Sequence, residues 1–270
     1  FYMYGGTVSG GTAVGIGGNI ANNGGTFTIS GGTVTGGKAL KHRNKSGGWG
    51  DGHGGNFYNS AKINVNGGVI EKGFCDNGAL GGGNFSSNTD NSIITMTDGI
   101  VKDGVSAVKG EGNIFLWNKA GSTFKMSGGT VTNTTAAQDG MFNGGVYVSN
   151  GKVEVSGTAK ITGENDAILY LANSKPITAT DLKGGALIVL DMKTSGVFAE
   201  NAKAFKYNFK AADADYGVDA DGENLILYNT KEHIHCVCGK AVSKATDIGD
   251  HKTHEKVSYE PLTQAKINAL

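Results

Sequence analysis

Proline and arginine are nearly missing from this chain. Of its 270 residues only 2 are proline and Arg43 is the one arginine, against 46 glycines. With so little proline and no every-third glycine period, a collagen-like triple helix is excluded. Glycine at this frequency, set among apolar residues that alternate, points to many tight turns in a regular array rather than to disorder. Guanidinium forks are the preferred phosphate donors, and the charge balance is zero, with 24 basic and 24 acidic residues. Nucleic acid is therefore not an expected partner. Cysteine is also scarce: Cys75, Cys236 and Cys238 are too few and too clustered for the disulfide framework of a small secreted domain. Long hydrophobic runs are absent. The longest, around residues 185–190, falls far short of the roughly 20 residues that cross a bilayer, so membrane insertion is not expected.

What the chain does contain is a repeat. Phe124 to Val131 reads F-K-M-S-G-G-T-V, and its relatives place Met3, Ile29, Val65, Met96, Met126 and Val155 in equivalent positions. From Ile29 onward the steps are 36, 31, 30 and 29 residues, a period that signals stacked units. Within each unit apolar residues alternate with Thr28, Asn64, Thr95, Lys125 and Glu154, which is strand periodicity with one buried face. A further element precedes each pair as Gly18-Asn19-Ile20, Gly55-Asn56-Phe57, Gly83-Asn84-Phe85 and Gly112-Asn113-Ile114, then Gly145-Val146 without the asparagine.

About three short strands per unit, wrapped and stacked, predict an all-β, right-handed parallel β-helix, a solenoid with a C-terminal cap and a small Cys/His module. Three apolar columns follow: Phe27/Ile63/Ile94/Phe124/Val153, Ile29/Val65/Met96/Met126/Val155 and Val34/Ile70/Val101/Val131/Ile161. The asparagines are expected to form a ladder of side-chain amides at one corner, with glycines supplying positive φ. Spacing alone does not fix strand direction, so an antiparallel barrel or sandwich is the alternative. The expected boundaries are coils over 1–194, a cap over 195–230, a Cys/His linker module over 231–262 and the start of a further segment over 263–270. Phe1 to Val8 is the second half of a repeat, which leads us to expect a longer protein with further modules on both sides.

Two departures from the repeat are the candidate functional regions. The longest excursion, Lys38 to His53, carries His42, Arg43, Trp49, Asp51 and His53, and loops projecting from a rigid scaffold are where binding residues concentrate. Trp49, His42, Arg43 and His53 are the candidate ligand-binding residues. No catalytic pair is evident; Asp51, His53 and Arg43 are the residues to test if the chain is an enzyme. Beyond the cap, His233-Ile234-His235-Cys236-Val237-Cys238 is followed by His251 and His254. Two thiols and two histidines can converge on one tetrahedral zinc, with Cys236, Cys238, His251 and His254 as the candidate ligands and His235 or His233 as substitutes.

Gly52-His53-Gly54 and Asn88-Thr89-Asp90 look like pieces of the polygalacturonase pattern. They stand in reverse order, without the aspartate pair between them and without a downstream Arg-x-Lys, so the facing carboxylates of a glycoside hydrolase are not in evidence. The repeat itself resembles the glycine-rich S-G-G-T-V/I pectin-lyase-like β-helices of large surface proteins of gut Firmicutes, over residues 1 to about 230. The stretch from His233 to Leu262 resembles the short Cys/His segment between their β-helical modules. That resemblance implies secretion and a bacterial cell-surface setting, and brings over no catalytic residue. The expected function is a noncatalytic extracellular scaffold or adhesin that displays loops to glycans or to host or microbial surface proteins. A carbohydrate-active enzyme of the pectin-lyase-like fold and a self-assembling structural filament are the alternatives.

Overall fold

The structure, a computed structural model, describes residues 1–43, 49–50, 52–76, 81–109, 111–117, 121–137, 140–230, 234–236, 241–242 and 256–257. At 42–43, 49–50, 234–236, 241–242 and 256–257 it describes the backbone alone. Strands of successive repeats pair in parallel and in register, and no barrel closes. The chain is a parallel β-helix.

Each predicted apolar column is present as drawn. Phe27 lies beside Ile63, then Ile94, Phe124 and Val153, while Ile29, Val65, Met96, Met126 and Val155 form the parallel column two residues on. Val34, Ile70, Val101, Val131 and Ile161 form the third. All fifteen are buried in one continuous core. Burying an Ile, Val or Phe side chain contributes about 1.5–3 kcal/mol, so the columns supply a large share of the driving force.

The coils have four rows rather than three. The first runs from Tyr2–Met3 through Thr26–Ile29 to Thr178–Leu182, and the second from Thr7–Ser9 through Thr33–Thr35 to Lys160–Ile161. Long strands Lys62–Glu71 and Ile93–Lys102 run through the corner between them. A short third row, Thr12–Val14, Lys38–Leu40, Phe74–Cys75 and Val105–Ser106, forms a separate parallel sheet. The fourth row comprises Ile20–Asn22, Phe57–Asn59, Phe85–Ser87, Ile114–Leu116, Val146–Val148 and Leu169–Leu171, and residues 190–192 extend it.

Between the third and fourth rows sits the asparagine corner. Asn19 Nδ2 donates to Asn56 Oδ1, Asn56 to Asn84 and Asn84 to Asn113, each at 2.7 Å. The same amides donate to the last carbonyls of the second row, on Thr35, Glu71 and Lys102. Their Oδ1 atoms accept the backbone N–H of Gly11, Gly37, Gly73 and Gly104, which open the third row. Where Gly145-Val146 lacks the asparagine, Asn133 extends the ladder from a different place in the chain, accepting from Asn113 at 2.9 Å.

At the C-terminal end, Lys203–Asn208 is a 3₁₀ turn and Phe209–Ala211 adds one more parallel strand. Gly196–Ala199, Asn224–Asn229 and Tyr216–Asp221 form an antiparallel sheet whose Phe198, Leu225 and Leu227 join the solenoid core. Residues 222–223 are the turn of this hairpin, with Asp221 paired to Asn224 across it. No described helix is long and apolar enough to cross a membrane.

Asn84 makes four side-chain hydrogen bonds in a buried position. Asn84→Ala leaves several of those partners buried and unpaired, and is expected to cost at least about 3 kcal/mol. Exposed Asn66→Ala should cost less than about 0.5 kcal/mol. Urea midpoints at constant m measure both.

Candidate functional site

Strand alternation makes the middle residue of each fourth-row triplet point away from the core. Phe57 and Asn59, Phe85 and Ser87, Ile114 and Leu116 face inward, leaving Tyr58, Ser86 and Phe115 outward. Register carries this outward column on through Tyr147, Tyr170 and Asp191. The outward face of a solenoid strand is normally polar. Here it is aromatic, with Phe115 and Tyr147 ring centroids 5.6 Å apart and those of Tyr147 and Tyr170 5.2 Å apart. Tyr147 and Tyr170 are half-buried, whereas Phe115 is fully buried although it lies outside the core. Something other than the solenoid interior covers it.

The fourth row is bracketed by the most variable connections, 41–56, 76–84 and 107–113 on the side of the third row. The first of these brings in His53. Its backbone is held by hydrogen bonds from its own N–H to Gly15 and from the Gly17 N–H to its carbonyl. Its ring, 9% exposed, stacks on Trp117 at 5.3 Å and lies 6.4 Å from Tyr58. The same excursion is tied down by the Cys75 thiol, which donates to the Gly52 carbonyl at 3.2 Å.

Glu111 comes from the third connection. It occupies the place that Gly17, Gly54 and Gly82 take in the Gly-Gly-Asn corners of the preceding coils. Its side chain is buried, and Oε2 accepts the Gly81 N–H at 2.7 Å. Burial pushes its pKa from 4.5 to about 7, against the opposing pull of the Gly81 bond. Burial also raises the Tyr147 phenol, with the Glu111 charge adding to the effect, which places that carboxyl beside the aromatic column. Tyr170 is raised by burial and then by Asp191.

Among the described residues two buried oxygens in and just after the third strand of this row have no hydrogen-bond partner: Ser86 Oγ and Asn88 Oδ1. They stand two residues apart on one segment of the third coil. Serine 86 makes no bond to His53, so the two do not form a nucleophile–base pair in this structure.

Of the residues singled out from sequence, His53 belongs to this face. His42–Arg43 and Trp49–Gly50 pair as antiparallel strands, and only their backbone is described. Asp51 lies outside the described residues. Among the candidate zinc ligands, Cys236 ends the strand Ile234–Cys236, while Cys238, His251 and His254 lie outside the described residues. Among the described residues no group of three or more His, Cys, Asp or Glu side chains is arranged to hold a metal ion. No protein-family model matches the chain, and neither a curated protein nor a solved structure is significantly similar to it.

Because the folded pKa of Glu111 is raised, the folded state keeps a proton that the unfolded chain releases between about pH 4.5 and about pH 7. Its contribution to stability is fully present below that window and is lost as pH rises through it, amounting to roughly 3 kcal/mol. Glu111→Gln keeps an acceptor for Gly81 and removes the titration. Urea midpoints of the native protein should fall across this range while those of the variant stay level.

Proposed function

We propose that this chain is a noncatalytic β-helical module of a bacterial surface protein that binds a glycan along the outward face of its fourth row. The observation that carries the reading is the aromatic column. Tyr147 and Tyr170 offer half-exposed rings from adjacent coils, held at strand spacing by a backbone that does not need to rearrange. Rings on a rigid scaffold bind at low conformational cost and accept the apolar face of a sugar ring, while the phenol oxygens and Asp191 supply polar contacts at the edges. Balanced charge and the single arginine favour a neutral ligand over a polyanionic one. The resemblance of the repeat to surface β-helices supports an extracellular setting.

Screening the full chain against an array of plant, microbial and mucin-type oligosaccharides tests this. Binding to a related set of neutral glycans is expected. Tyr170→Ala and Tyr147→Ala should each weaken that binding at least about tenfold, corresponding to the loss of one stacked ring. Absence of binding across the array would sink the proposal.

One observation favours the enzymatic alternative. A carboxyl kept protonated near neutrality, as Glu111 is, is what a general acid requires. The second carboxylate on the face, Asp191, is two strand spacings from Tyr147, about 10 Å. If this pair cleaves glycosides, incubation with array-positive oligosaccharides should release new reducing ends, and Glu111→Gln should abolish the release. For the binding module, neither protein releases any.

A further inference from the structure

The solenoid is finished differently at its two ends. At the C-terminal end, Phe198, Leu225 and Leu227 of the antiparallel sheet close the core. At the other end, Tyr2–Met3, Thr7–Ser9, Thr12–Val14 and Ile20–Asn22 each pair on one side alone, with the coil that follows. Their outer edges therefore present backbone N–H and C=O groups in all four rows that no strand among the described residues takes up. The core is open there as well. Phe1 stacks on Phe27 at 4.8 Å and continues the first apolar column, yet it is 71% exposed where Phe27 is 8%. Of the eight large hydrophobic side chains exposed among the described residues, five belong to this one coil: Phe1, Tyr2, Tyr4, Val14 and Ile16.

Open strand edges are normally guarded by charge, above all by lysine, or by proline. This rim has neither. The first charged side chain in the sequence is Lys38, so residues 1–37 hold none of the 24 basic and 24 acidic residues, and the two prolines are Pro176 and Pro261. Such a surface suits contact with its own copy. In a two-fold pair the same patch is used by both partners, so a charged rim would repel itself, while unpaired strands meet antiparallel with donors facing acceptors. Stacking of copies in one direction is closed off, because the opposite end is covered by the cap. Residues 1–22 also match in number the roughly 20–30 residues a side of a stable interface.

We infer that the rim of the first coil is a homodimer interface, on which the same rim of a second copy docks by antiparallel strand pairing about a two-fold axis. Association stops at two, because the pair occupies both open rims. The pair stands whether or not the fourth row binds a glycan, and it is incompatible with an open-ended filament built from end contacts.

Sedimentation equilibrium of the full chain over a concentration range of about a hundredfold tests this. Monomer and dimer should exchange with concentration, and no larger species should form. Tyr2→Lys and Thr7→Lys each put a charge on a rim strand. Both side chains are exposed in the single copy, so the fold is retained, and each variant should weaken the dimer at least about tenfold. Tyr207→Lys, exposed at the covered end, should leave the dimer unchanged. Hydrogen exchange on the native chain reads the same contact without a substitution, since amides of the four rim strands should gain protection as concentration rises. A chain that stays monomeric, a series of species beyond the dimer, a dimer that withstands both rim lysines or one that Tyr207→Lys breaks overturns the interface. So does rim protection that is independent of concentration, because another segment of the same chain then covers the rim.

Discussion

The hydrogen-bonded ladder Asn19–Asn56–Asn84–Asn113–Asn133 is the constraint on which the rest of the solenoid depends. Each interior amide in it ties together the end of the second row, the start of the third and its counterparts in the coils on either side. One side chain type therefore fixes both the corner and the axial register. The neighbouring glycines follow from it. A Cβ at Gly18, Gly55, Gly83 or Gly112 would sit 2.3–2.4 Å from a backbone nitrogen of the next strand or loop, closer than any real contact. Asparagine brings the coils together at that corner, and only glycine lets them come so close.

The apolar architecture was legible in the sequence because each column is a repeated residue type at a nearly constant step. Phe27 to Val153 and its two companions could be written down from spacing alone. The third row was not legible. Its strands are two or three residues long, and Thr12–Val14, Lys38–Leu40, Phe74–Cys75 and Val105–Ser106 share no apolar pattern. Ala39 and Cys75 are buried there outside the main core. Such strands are held by backbone pairing and by the asparagine corner, and neither leaves a hydrophobic period behind. Asn133 was hidden for a related reason. It reaches the ladder from the end of the second row, 20 residues after Asn113 instead of a full repeat.

The candidate site was legible only in part. His53 stood out because its excursion breaks the repeat. Phe115, Tyr147 and Tyr170 did not, because each lies between two core residues and reads as part of an apolar run, and Tyr58 follows the core residue Phe57 with no period of its own. Their signal is positional: an aromatic residue in the outward place of a strand whose inward places are already filled. Glu111 left a clearer trace, since it replaces the first glycine of a Gly-Gly-Asn corner. Aligning the corners rather than the core columns would have found it.

These departures share a physical character. Along the three apolar columns and the asparagine corner the chain is locally consistent, with apolar residues inward, buried amides hydrogen-bonded and glycine where the backbone crowds. On the outward face of the fourth row the rules reverse: aromatic rings face out, a carboxyl is buried beside Tyr147, and two oxygens are buried without partners. Each reversal opposes folding, and the stacked core is large enough to tolerate them. A repeat protein has a direct way to remove such residues, because a neighbouring coil already shows a residue that fits, such as the glycine in place of Glu111. Their concentration on one face of one row, beside the connections that vary most in length, is what separates a binding surface from accidental frustration.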